Sequence, residues 1–222
     1  MSAFVRFLGS SIGRKMLMGA SGLLLLGFLV VHVSGNLILF AGPDAFNHYS
    51  HGLTTNPLIY LAELGLLVLF VLHFVSGLLV TQGNRAARPV GYAVKRRAGG
   101  ASHKSLASTS MILSGLFLLM FVPLHLWTFK WGPHYAVAGD PSVRDLHRLV
   151  IEEFHRPLEV AWYVGAMVII GMHLWHGFGS GLESLGMTDR PWLRRLGQAL
   201  AVAITVGFVV VPIAVFLGMV PA

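Results

Sequence analysis

Residues 57–81, PLIYLAELGLLVLFVLHFVSGLLVT, contain one carboxylate, Glu63, and one imidazole, His73, in a run otherwise free of charge. At about 1.5 Å of rise per residue, a helix of that length crosses the ~30 Å hydrocarbon core of a bilayer. Four further runs of 23 to 25 residues read the same way: 16–40, 106–129, 158–180 and 196–220. The composition agrees, with 55% apolar and only 11% charged residues, against roughly 25% charged in an ordinary soluble domain. The longest connection, 130–157, has 28 residues. No flavin or nucleotide domain fits beside the spans. The expected fold is a single all-α membrane domain, residues 1–222, with five transmembrane helices.

Cysteine is absent, which excludes thiolate-bound iron-sulfur clusters, a thiol nucleophile and covalent c-type haem attachment. The net charge of +7 reads as orientation rather than nucleic-acid binding. Of the 16 Lys and Arg residues, 12 fall before span one, between spans two and three, or before span five. Lys130, Arg144, Arg148 and Arg156 lie on the other side, balanced by Asp140, Asp145, Glu152 and Glu153. The N-terminus is therefore expected inside and the C-terminus outside, with the first apolar run retained as an anchor because it exceeds a signal-peptide core. Gly42-Pro43-Asp44 and Asn56-Pro57 bracket an outer loop, and Pro57 and Pro191 are expected in the first turns of their helices. The Arg-rich inner stretch 83–100 is available to a partner. In the second outer loop, Leu146, Leu149, Val150 and Phe154 oppose Arg148, Glu152 and Glu153, a pattern expected of a short helix on the membrane surface.

Four histidines lie deep in the spans, one on each of the first four: His32, His73, His125 and His173. Such polar rings in hydrocarbon mark function by default, although any one could be satisfied by a neighbouring helix. Depth sorts them into pairs. His32 and His125 lie about 12 and 8 Å from the outer ends of their spans, and His73 and His173 about 12 and 10 Å from the inner ends. Two imidazoles at one depth on different helices suit a six-coordinate haem iron. Gly35, Gly77 and Gly177 follow His32, His73 and His173 on the same helical faces, where a flat macrocycle or simply close helix packing is served. Phe74, Trp127 and Trp175 are aromatic edges for such a ring, or lipid-facing residues.

The blocks Met18-Gly-Ala-Ser-Gly, Val31-His-Val-Ser-Gly-Asn-Leu, Gly42-Pro-Asp-Ala-Phe-Asn, Leu72-His-Phe-Val-Ser-Gly, Pro123-Leu-His-Leu-Trp and Gly171-Met-His-Leu-Trp-His-Gly-Phe-Gly-Ser together resemble the cytochrome b558 membrane anchor of succinate dehydrogenase and fumarate reductase. The resemblance covers nearly the whole chain in order. It implies a haem-binding four-helix bundle with a peripheral fifth helix that carries no ligand. It also implies two b haems, the outer held by His32 and His125 and the inner by His73 and His173. His176, three residues after His173, is the one ambiguity, and the deeper His173 is preferred. The implied partners are a flavoprotein and an iron-sulfur subunit on the inner face of a bacterial cytoplasmic membrane, the lipid bilayer, and a quinone, with menaquinone the expected one. Electrons would pass from succinate to quinone, or from quinol to fumarate.

Glu63 is the proton-handling candidate for the quinone, with Glu159 on the same side and His48, Tyr49 and His51 at the mouth. A structural hydrogen bond or interfacial snorkelling is the plainer reading of Glu63, and a helix N-terminus that of Glu159. A bc-type cytochrome is disfavoured because no span carries two deep histidines. A histidine-relay transporter or proton channel without haem is the rival of another class. The partition of Lys and Arg is tested by a reporter fused after Ala222: it should be active outside, and activity only in the cytoplasm would reverse the topology.

Overall fold

A computed structural model describes residues 2–87, 110–187 and 190–221. A short helix α1 (Ala3–Gly9) leads into α2 (Ser11–Leu37), which ends in a 3-10 turn (Ile38–Ala41). Then come α3 (Pro43–Thr54), α4 (Leu58–Ala86), α5 (Met111–Phe129), the strands β1 (Ala136–Val137) and β2 (Asp140–Arg144), α6 (Leu146–Phe154), α7 (Pro157–Ser184) and α8 (Pro191–Phe216). The chain is an all-α multi-pass membrane protein, with one two-stranded antiparallel hairpin among the described residues. Five of its helices, α2, α4, α5, α7 and α8, are long and apolar enough to cross a membrane.

The spans differ from the hydropathy runs at their ends. Helix α2 starts at Ser11 rather than 16, α4 continues to Ala86 and α7 to Ser184. Apolarity marks the edge of the hydrocarbon, whereas hydrogen bonding carries the helix on into the polar zone through Arg14, Lys15 and Arg85. Start signals explain the rest. The Ser10 side chain accepts from the Gly13 amide and opens α2, and Pro191 opens α8. Pro57 caps α4 instead of entering its first turn. At the far end α8 stops at Phe216, short of 220. Gly218 has φ +67°, and the amides of Gly218 and Met219 turn back to the carbonyls of Val215 and Ala214, a Schellman stop that needs glycine. The start of span three, 106–109, and the inner basic stretch from 88, with Lys95 and Lys104, lie outside the described residues.

Helix α8 is not peripheral. It packs along α7 and against α2, and of the five spans it is the most buried. Small residues permit this: a Cβ on Gly171 would strike Thr205, and one on Gly207 would lie 2.6 Å from Val33 Cγ2. In a membrane, where lipid competes on equal terms for apolar surface, such close approach is what holds helices together. Helix α4 is the most exposed span and rests chiefly on α2.

The connections between α2 and α4 and between α5 and α7 form a packed cap. Gly42, at φ +96°, reverses the chain and Pro43 starts α3. Asn47 on α3 is buried; its amide donates to Asp145 Oδ1 at 2.8 Å and its carbonyl accepts from the His147 amide at 2.9 Å. Asp145 in turn caps α6 by accepting from the Arg148 amide. Helix α6 therefore does not float on the membrane surface. Its Leu149, Val150 and Phe154 are buried, and Val150 and Phe154 share a core with Leu39, Phe46, Tyr163 and Val215. Arg144 closes the end of α5 by donating to the carbonyls of Phe129 and Pro133 at 3.0 and 2.9 Å. His147 is buried beside Phe46, and burial draws its pKa down against the opposing pull of Asp145 and the Pro221 carbonyl.

Among the described residues, Asn47 links α3 to the start of α6 through both its donor and its acceptor. Asn47→Ala leaves the His147 amide without its partner and takes from Asp145 one of its two acceptances, the Arg148 amide remaining, and should cost about 2 kcal/mol. Thermal unfolding in detergent is the measurement, and an unchanged transition would show that the cap does not depend on this residue.

Candidate functional site

Each of the four deep histidines comes from a different span: His32 from α2, His73 from α4, His125 from α5 and His173 from α7. The structure places the His32 and His125 rings 5.8 Å apart between centroids, with planes at 81°, and the His73 and His173 rings 6.2 Å apart at 73°. His176, by contrast, faces no second ring among the described residues.

The Nδ1 atoms are engaged. The Nδ1 of His73 lies 3.0 Å from the Met18 carbonyl and 3.4 Å from Ser21 Oγ. A carbonyl only accepts, so this nitrogen carries the proton. Ser114 Oγ, 2.9 Å from His173 Nδ1, already donates its own proton to the Met111 carbonyl. It therefore accepts from His173, again placing the proton on Nδ1. In the outer pair the contacts are longer: Tyr163 hydroxyl to His125 Nδ1 at 3.4 Å and Asn36 Nδ2 to His32 Nδ1 at 3.5 Å. None of the hydrogen bonds among the described residues uses an Nε2 of these four rings. In His73 and His173 a ring anchored through Nδ1–H presents a basic Nε2 lone pair, which is how histidine is oriented as a metal ligand, whereas at His32 the Asn36 side-chain N–H is the donor and Nδ1 accepts.

Geometry sets which metal site fits. Two metal–nitrogen bonds of about 2 Å plus two ring radii of about 1.1 Å place axial imidazole centroids about 6 Å apart, and both pairs meet that. The near-perpendicular planes suit two rings sharing one axis and rotated about it. Among the described residues no three His, Cys, Asp or Glu side chains gather around one point. Each pair could therefore offer a metal at most two imidazole donors.

The surroundings revise several expectations. The face of Gly35 is taken by Tyr49, whose hydroxyl lies 2.6 Å from where a Cβ would stand. Gly77 and Gly177 have only ordinary contacts, with Met18 and Met111. The glycine that matters is Gly22, where a Cβ would sit 2.8 Å from His73 Cε1. Trp127 and Trp175 face outward, and Phe74 has no ring partner among the described residues. The rings beside the outer pair are Phe28 and Phe208 on His32 and Phe121, Phe129 and Tyr163 near His125. Glu63 accepts a hydrogen bond from the Lys130 ammonium at the end of α5, a pairing absent from the sequence reading. Glu159 lies in the first turn of α7, as a helix N-terminus favours. His48 is exposed and His51 half-buried.

No protein-family model, curated protein or solved structure matches this chain.

The fit of His73 against the α2 backbone is testable alone. Gly22→Val should force the ring off the Met18 carbonyl and destabilise the α2–α4 contact by about 1–3 kcal/mol. Gly27→Val, at a position with nothing within 4 Å, is the control. Equal thermal stability of the two variants would contradict the close contact.

Proposed function

We propose that the chain is the dihaem cytochrome b membrane anchor of a succinate:quinone oxidoreductase, working in either direction between succinate and quinone. The observation that carries this reading is the set of two ring pairs, at 5.8 and 6.2 Å, drawn from four helices, with the Nδ1 protons of His73 and His173 anchored and their Nε2 atoms left to a metal. Four isolated structural histidines would have no reason to meet in twos at axial spacing. The resemblance of the histidine-centred blocks to the cytochrome b558 anchors supports the same conclusion.

In this reading His73 and His173 hold an inner b haem, and His32 and His125 an outer one, within a bundle of α2, α4, α5 and α7. Bound haem supplies one-electron carriage across the bilayer. The protein's own part is to fix the two rings of each pair through Met18, Ser21, Ser114, Tyr163 and Asn36. It also surrounds the outer pair with aromatic side chains, a dry shell that governs redox potential. The flavoprotein and iron-sulfur partners dock on the Arg-rich inner face, in a bacterial cytoplasmic membrane. The quinone, menaquinone by expectation, reacts at the outer side beside Glu63. By itself the chain does not oxidise succinate.

A visible spectrum of the purified chain distinguishes this from a haem-free histidine relay. A pyridine haemochrome assay should give two b haems per chain, and one or none would overturn the reading. His73→Ala or His173→Ala should remove the inner haem first, and His32→Ala or His125→Ala the outer.

A further inference from the structure

We propose that Lys130 is the group that donates to the quinone carbonyl, and that Glu63 is its counter-ion. This rests on the proposed quinone reaction at the outer side. Glu63 sits on α4 and Lys130 at the end of α5, so their contact joins the outer ends of two spans that otherwise touch little. Both side chains remain accessible from the side, 41% and 39% exposed.

Chemistry fixes which partner can serve a quinone. In a carboxylate–ammonium pair the proton to be given is on nitrogen. The carboxylate only accepts, and a quinone carbonyl offers it nothing to accept. As two electrons arrive, charge builds on the carbonyl oxygen, and a cation placed there stabilises that change. Two other polar side chains near Lys130 are committed. Arg144 donates to backbone carbonyls, and the Thr128 hydroxyl donates to the Leu124 carbonyl. Lys130 has three N–H donors, and Glu63 is its one side-chain partner among the described residues. Donors are left over for a carbonyl oxygen.

The step balances as follows. Quinone takes two electrons from the reductant on the inner side and two protons. One proton comes from the Lys130 ammonium, which breaks an N–H bond as the quinol O–H forms, and the other from water at the outer face. The amine then recovers its proton from the same water, with Glu63 favouring the return to ammonium. In the reverse direction the neutral amine accepts the quinol proton. An arginine at 130 would keep the charge and the hydrogen bonds but not give up a proton, because guanidinium is not deprotonated in proteins.

The assembled complex, reconstituted in liposomes with a short-chain quinone, provides the test, with haem content measured in every preparation. Lys130→Met should lower kcat/KM about 10²-fold. Lys130→Arg should hold KM within about 3-fold while kcat falls at least about 10-fold. Glu63→Gln should cost less than Lys130→Met. Wild-type kcat in Lys130→Arg, or unaltered kcat/KM in Lys130→Met at full haem content, would overturn the inference and leave the haem reading standing. A wild-type complex without b haem would remove both.

Discussion

An imidazole ring in hydrocarbon has to satisfy its N–H, and no water is at hand to do so. Much of the helix arrangement can be understood from that requirement. His73 reaches across to the backbone of α2 at Met18, and it does so over Gly22 because any side chain there would collide with it. His173 reaches Ser114 on α5, and His125 lies beside Tyr163 on α7. These contacts pair α4 with α2 and α5 with α7, bringing the two inner rings to one another from opposite sides.

The fifth span completes what four cannot. Helix α8 presses Phe208 against His32 and buries Val211 and Val215 under the outer cap. The cap, made from α3 and α6, closes the outer end over Tyr163 and Phe154. The outer histidine pair is therefore set among aromatic rings with long hydrogen bonds, and the inner pair among small and polar residues with short ones. A protein that treats two similar pairs so differently has the means to give them different electronic properties.

Depth was legible because an α-helix advances by a fixed step, so counting residues from the ends of the apolar runs gave the heights of His32, His73, His125 and His173. The five spans were legible for the same reason, and so was the amphipathic face of residues 146–154. Lateral position was not. Which side of α4 meets which neighbour depends on packing among helices that are apolar all round, and no periodicity records it. Hence Gly22 was passed over in favour of Gly35, α8 was placed outside the bundle, and the pairing of Glu63 with Lys130 went unseen. Helix α3 escaped notice because its Asn47, a poor helix former, earns its place through partners about 100 residues away.

The cap joins residues 43–54, residues 145–154 and the end of the chain, where Pro221 lies against Gly42 and its carbonyl faces His147. A chain made from its N-terminus inserts α2 and α4 long before α8. Closure must wait for residues 145–154 and Pro221, which are made well after residues 43–54. During that interval His32 and His125 lack the aromatic contacts that Phe208 and Tyr163 later bring. Completion of the cap thus follows an order set by the distance along the chain between its first half, residues 43–54, and its last, residues 145–154.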